Sequence, residues 1–308
     1  MFRCFLYSIN SVFLTFGKVI FSSYKMTQTL ITHTDLDGLG SVVLAKFYGI
    51  TFKRIYMWDY DKISMKVLSE TKNVIMTDLS IPEEDFLKIK DNGIQIFDHH
   101  DSSLYLKKYG QICDTSRCGT RIFFEEYIKK HEKYRENEHV ERFVHLVDVY
   151  DRWQEDSDDW EEALRLNRLF FSLSRVVFIS DASELLKRKM IYNANEISLI
   201  ESVEAEEDRL YEEALKELCI CKDEKNACYG VFPCKTYQSI ICNKILKSCS
   251  EMDYVIGYFP SGKISVRSKN YFDLTQLKGI RGHKHAMGGY LDTKAINDLK
   301  VGISLSYN

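Results

Sequence analysis

The chain has 308 residues, 45% of them hydrophobic and 28% charged, with a formal net charge of −3. This balance excludes an intrinsically disordered chain, and the length predicts two domains, each with its own core. The slightly acidic total also excludes the broad basic surface with which proteins track long nucleic acids, so any basic surface must be local.

Nine cysteines occur without a Cys-x-x-Cys pair. Odd number and scattered spacing argue against a disulfide framework and a structural zinc knuckle, and for a reducing, cytoplasmic setting. Residues 1–25 are rich in Phe, Leu, Val and Ile, but Asn10 and Lys18 interrupt the apolar run and no small-residue cleavage site follows. The run is too short to span a bilayer. It reads as a dispensable extension without stable membrane association, ahead of a first core strand starting just after Met26.

From Leu30, strand and helix alternate. Leu30–His33 reads as a buried strand, followed by an acidic glycine turn and a helix over Ser41–Phe47. Lys53–Met57, Asn73–Thr77 and Ile94–Phe97 read as further strands, with a helix at Pro82–Lys90. Strands separated by crossover helices predict a parallel α/β sheet. Beyond Thr120 the spacing turns helical, over 120–132, 138–150 and 160–172. A long, glutamate-rich helix follows from about Asn193 to Leu218, as a solvated linker. From Tyr229 a second α/β pattern begins, with strands at Tyr254–Tyr258 and Lys263–Val266.

Three acidic or histidine-bearing segments fall where a strand ends: His33-Thr-Asp35-Leu-Asp37-Gly38, Asp78, and Asp98-His99-His100. In a parallel sheet, those carboxyl ends line one edge, where such folds bind ligands. Singly, each has an ordinary reading: Asp-Gly is a common turn, Asp78 could cap a helix, and paired histidines are often filler. Together they point to converging carboxylates that need cations between them. Carboxylates mixed with imidazoles suit Mn²⁺ first, with Mg²⁺, Fe or Zn²⁺ also admitted. A fourth acidic segment carries Asp148 and Asp151, three apart on one helical face and able to lean over that edge.

In the C-terminal part, Ser265-Val-Arg267-Ser268 precedes Gly279-Ile-Arg281-Gly282-His283-Lys-His285-Ala-Met-Gly288-Gly289. Glycines there would let backbone amides approach a phosphate, and Arg267 could fork onto one. Residues 261–290 hold six Lys/Arg against one acid, a local +5.

These residues resemble the DHH–DHHA1 phosphoesterases, named for the motif present here as Asp98-His99-His100. Within that group the chain looks most like the bacterial nano-RNases, or oligoribonucleases, from Thr27 to about Ile303. Two departures stand out: His33 lies two residues before Asp35 rather than four, and Ile280 and Arg281 break the glycine triplet.

The resemblance implies a catalytic DHH domain over 26–190, a linker helix over 191–222 and a smaller substrate-binding DHHA1 domain over 223–308. It implies two divalent ions, one held by Asp35, Asp78 and His33, the other by Asp37, Asp78, His99 and Asp151 or Asp148. Asp98 would orient an imidazole, and His100 would meet the scissile phosphate or protonate the leaving oxygen. Arg267, Ser268, Arg281, Gly282, His283, His285, Gly288 and Gly289 would bind substrate, with motion about the linker opening and closing the cleft. The implied activity is hydrolysis of short RNA or dinucleotides to mononucleotides. Rival readings are a hydrolase of cyclic or linear dinucleotide signals or of pAp, and a RecJ-like single-strand DNA exonuclease. A homodimer is compatible with all of these.

Overall fold

Runs that are apolar on both faces build the first sheet. Strands β1 (Thr29–Thr32), β2 (Arg54–Met57), β3 (Val74–Thr77), β4 (Gln95–Asp98) and β5 (Ile112–Cys113) form a five-stranded sheet in the order β2-β1-β3-β4-β5, parallel throughout. Every residue of β1 and β3 is buried, as parallel strands covered on both faces require. This computed structural model describes residues 28–302 and 305–307, with the backbone alone for residues 61 and 281–283. The expected extension over residues 1–25 lies outside the described residues.

Helices α1 (Leu36–Phe47), α2 (Met65–Glu70) and α3 (Glu83–Ile89) lie between the strands. Ile31, Met76 and Ile96 of the sheet share a core with Phe86, Ile89 and Leu106. After β5 come α4 (Gly119–Phe123), continuing as a π-helical turn over Phe124–Ile128, then α5 (Glu138–Asp151), α6 (Trp160–Ser172) and α7 (Arg175–Lys187). The sequence predicts one regular helix over 120–132; the structure divides that stretch between α4 and the wider turn. Helix α7 is absent from the sequence reading, because polar residues break its apolar pattern.

Helix α8 (Ala194–Glu217) is the long charged helix. The chain divides into two compact units, one through Ile200 and one from Glu201, with the boundary inside this helix. The second unit carries β6 (Cys219–Lys222), β7 (Cys228–Pro233), α9 (Gln238–Ser248), β8 (Tyr254–Tyr258), β9 (Lys263–Ser268), β10 (Ile280–His283), β11 (Ala286–Tyr290) and α10 (Thr293–Lys300). Its mixed sheet has the order β10-β11-β9-β8-β7-β6. The glycine-bearing segment that follows Gly279 is thus the antiparallel hairpin β10–β11, anchored by buried Ile280 and Met287.

The eight described cysteines are free thiols. No helix among the described residues is long and apolar enough to cross a membrane.

Candidate metal centre

Strands β1, β3 and β4 end side by side, since Thr32 pairs with Thr77 and Thr77 with Phe97. His33, Asp78 and the Asp98-His99-His100 segment therefore meet at one edge. Beneath them, the Thr77 hydroxyl donates to Thr32 Oγ1 at 2.8 Å, and Thr32 Oγ1 donates to the Gly38 carbonyl at 2.7 Å. Both threonines are fully buried, so this relay ties two strands to the first turn of α1. Asp78 adopts φ +52°, a left-handed conformation uncommon for a residue with a Cβ and typical of strained functional positions.

The acidic turn before α1 sets two more carboxylates. Asp35 caps the helix, its Oδ1 accepting from the Gly38 amide at 3.0 Å, while His33 Nδ1 lies 2.8 Å from its Oδ2. Asp37, in the first turn and 1% exposed, is gripped by the start of α4. Its Oδ2 accepts from the Gly119 amide at 2.6 Å and its Oδ1 from the Thr120 amide at 2.7 Å. The Thr120 hydroxyl donates to the Asp37 carbonyl. Only glycine fits at 119, because an added Cβ would stand 2.6 Å from Asp78 Cβ and 3.0 Å from Asp37 Oδ2.

Asp78 lies between two groups of potential ligands, belonging to one and touching the other through His99. On one side, His33, Asp35 and Asp78 converge, with His33 Nδ1 3.6 Å from Asp78 Oδ2. On the other, Asp37, His99 and Asp151 converge; His99 Nε2 lies 3.6 Å from Asp37 Oδ2, 3.6 Å from Asp151 Oδ2 and 3.1 Å from Asp78 Oδ1. Asp78 thus turns one oxygen to each group.

The donor set suits divalent cations. Asp78 Oδ2 and Asp151 Oδ2 are buried without a hydrogen-bond partner among the described residues, and unpaired buried carboxylate oxygens are costly. Burial first, then the charges of Asp35 and Asp37, hold Asp78 well above the usual carboxylate range. Burial and Asp37 do the same to Asp151. Burial would lower His33, but hydrogen bonds and charge from Asp35 and Asp78 outweigh it and raise the imidazole to about 10. A cation would take the place of those protons.

Asp148 and Asp151 part company. Asp151 joins the cluster. Asp148, 2% exposed, accepts from the Cys118 amide at 2.7 Å and from Arg121 Nη1 at 2.9 Å, so it anchors the turn that grips Asp37. Helix α5 stops just after Asp151: Trp153 takes φ +52°, and Tyr150 and Trp153 pack against Trp160 at 5.9 and 5.0 Å.

Asp98 is fully buried and lies 2.8 Å from His100 Nδ1. Burial would raise its carboxyl, yet the hydrogen bond and charge of His100 hold it at about 2. The Tyr60 hydroxyl lies 3.0 Å from His100 Nδ1 and 3.2 Å from Nε2, and its ring packs on His33 at 5.3 Å. Sequence reasoning misses Tyr60, which lies in a polar turn with no periodic signal. It also misses Gly119 and Thr120, although a small-residue Cys-Gly-Thr turn opening an apolar run is a legible helix start.

In the second unit, Arg267 on β9 donates from Nη2 to Ser239 Oγ at 2.7 Å and from Nη1 to the Val266 carbonyl at 2.9 Å. The Ser268 hydroxyl donates to the Phe272 carbonyl at 2.8 Å, and His285 Nδ1 lies 3.2 Å from Ser268 Oγ. Gly288 and Gly289 pair with Ser265 and Ile264. The side chains of Arg281 and His283 lie outside the described residues.

A parallel sheet whose strand ends bring together an HxDxD turn, a buried aspartate and Asp-His-His is the arrangement that the sequence resemblance implies, and the chain's fold is similar to that of a solved DHH domain, with a TM-score of 0.55 at 13% identity. No family model matches the chain. Oligoribonuclease NrnB of Bacillus subtilis is 23% identical over 289 residues, covering 84% of this chain and 71% of that protein. Among solved structures, the pGpG-specific phosphodiesterase PggH from Vibrio cholerae has a TM-score of 0.56 at 15% identity, over 89% of this chain and 96% of its own. RecJ from Thermus thermophilus, in complex with Mn²⁺, has a TM-score of 0.50 at 16% identity, over 89% of this chain and 51% of its own.

Proposed function

We propose that the chain is a metal-dependent phosphodiesterase that hydrolyses short oligoribonucleotides or dinucleotides to mononucleotides, using two divalent ions, Mn²⁺ first and Mg²⁺ second. The observation that carries the reading is Asp78, which presents Oδ2 to His33 and Asp35 and Oδ1 to His99, beside Asp37 and Asp151. His33, Asp35 and Asp78 would hold one ion; Asp37, Asp78, His99 and Asp151 the other. When bound, such a pair supplies an acidified water and stabilises charge developing on the phosphoryl oxygens.

The chain's own residues do the rest. The amides of Gly119 and Thr120 fix Asp37, and Asp148 fixes their turn, so the second ligand group is preorganised before substrate arrives. Asp98 orients His100 through Nδ1, and His100 meets the scissile phosphate or protonates the leaving oxygen. Arg267, Ser268 and His285 take part in binding the nucleotide, in the segment that carries the local +5. Because that positive segment is short, a few phosphates saturate it, and added nucleotides gain little affinity.

The relative at 23% identity is named an oligoribonuclease, and a structural neighbour acts on pGpG, a linear dinucleotide; both support a short substrate. The test is kinetics with Mn²⁺ on an RNA ladder from dinucleotide to about 24-mer, beside pGpG, cyclic di-AMP, pAp and long single-stranded DNA. The proposal expects kcat/KM to peak at about two to five nucleotides. Efficiency rising steadily with length, or processive loss of long DNA, would favour the exonuclease reading instead. Selective turnover of cyclic di-AMP or pAp would favour the signal-hydrolase reading.

A further inference from the structure

Arg175 opens α7, and the sequence gives no hint of a role for it. Its guanidinium is held on three sides. Nε donates to the Thr34 carbonyl at 3.0 Å, in the turn between His33 and Asp35, and Nη1 donates to the Phe170 carbonyl at 3.3 Å. Its plane lies over the Phe170 ring at 3.9 Å, with the half-exposed Phe171 ring 5.3 Å away. The third nitrogen, Nη2, has no acceptor among the described residues.

That arrangement differs from other arginines of the first unit. Arg117, Arg121 and Arg142 make ion pairs with Asp114, Asp148 and Asp159 at 2.7, 2.9 and 2.7 Å. Arg175 is half-buried in the field of Asp35 and Asp59, yet no carboxylate among the described residues comes within ion-pair distance. Partial burial lowers its pKa, with those two aspartates opposing the shift. A partly desolvated, rigidly oriented cation with an open donor edge matches the oxygens of a phosphoryl group. If two ions occupy the carboxylate groups, the local negative charge is largely cancelled, and Arg175 remains as a fixed donor beside the His33–Asp35 half.

We propose that Arg175 is a substrate-contacting residue whose Nη2 edge takes a non-bridging oxygen of the bound phosphate. The proposal rests on the phosphodiesterase reading above and adds a residue to the same site. Its alternative is a purely structural role, in which Arg175 only holds the Thr34 turn and so the metal ligands on either side of it.

Arg175→Gln and Arg175→Lys separate the two. Four quantities are measured on each full-length variant: Mn²⁺ affinity, melting temperature, inorganic phosphate affinity of the Mn²⁺-loaded protein, and kcat and KM on a dinucleotide. The proposal expects Arg175→Gln to weaken phosphate binding roughly 10- to 100-fold, with Mn²⁺ affinity within about threefold of wild type. Arg175→Lys keeps the charge but loses the fork, and should bind phosphate with intermediate affinity. Unchanged phosphate binding overturns the proposal. So does Mn²⁺ affinity falling in step with phosphate affinity, because that is the signature of a displaced turn. Wild-type protein that cleaves none of the nucleotides would defeat the functional reading, while the phosphate measurement would still decide the role of Arg175.

Discussion

Replacing Gly119 by alanine is a small change aimed at the most crowded point of the site. The new Cβ would stand 2.6 Å from Asp78 Cβ, 2.9 Å from Asp78 Cα and 3.0 Å from Asp37 Oδ2. Comfortable carbon–carbon contact begins at about 3.5 Å, so the gap must open by about 1 Å. Neither side yields easily. Asp78 is buried at positive φ, and Gly119 is pinned by the hydrogen bond its amide donates to Asp37 Oδ2. Overpacking of this kind costs about 1–3 kcal/mol, and each kcal/mol lowers Tm by roughly 2–4 °C in a unit of this size. The catalytic loss should be larger than the stability loss, because misplacing reacting geometry by about 1 Å costs roughly 100-fold in rate. The assay pairs thermal melts of metal-free and Mn²⁺-loaded protein with kcat on a dinucleotide. A Gly119→Ala variant with kcat within about twofold of wild type would refute the argument that α4 and the Asp78 turn are packed to set the ligands.

Asp148→Asn and Asp151→Asn should move stability in opposite directions. Asp151→Asn removes an unpartnered buried charge, so the metal-free protein should melt no lower than wild type while Mn²⁺ binding weakens. Asp148→Asn weakens the pairing with Arg121 and should cost about 1.5–3 kcal/mol, seen as a lower Tm with or without metal. Thr32→Val breaks the buried hydroxyl relay and leaves Thr77 without its acceptor, costing about 1–3 kcal/mol in a denaturant melt. The metal-free protein should be most stable in mild acid. Asp98, held at about 2, contributes stability that is present above the ordinary carboxylate pKa and lost as pH falls through 4 towards 2. His33, raised to about 10, contributes stability present below about 6.5 and lost as pH rises towards 10. Asp78 and Asp151, raised by burial and neighbouring carboxylates, also destabilise the metal-free fold as pH rises above the ordinary carboxylate range. Melts from pH 3 to 9 should show this optimum, and saturating Mn²⁺ should shift it towards neutrality.

The sheet and its edge are legible in the sequence because local signals and topology agree there. Short apolar runs at Leu30, Val74 and Ile96 can only be covered strands, and parallel strands put their following residues on one edge. Periodicity places Asp148 and Asp151 on one helix face but cannot decide between them. That choice depends on Arg121 and the Cys118 amide, which reach Asp148 across long sequence separations. Tyr60 and Arg175 are invisible for the same reason. Each acts through contacts of 40 or more residues' separation, to His100 and to Thr34, with no motif around it. The hairpin β10–β11 was hidden by its glycines, which signal turns but here lie within paired strands.

The central claim is that Asp78 joins two metal sites, and the direct measurement is the number of Mn²⁺ ions bound per chain in wild type and in Asp78→Ala. Wild type should bind two ions; the variant should bind at most one, weakly, remain folded by circular dichroism, and lose turnover. A variant that keeps both ions and more than about a tenth of wild-type activity would contradict the account, since losing a shared ligand costs several kcal/mol at the barrier.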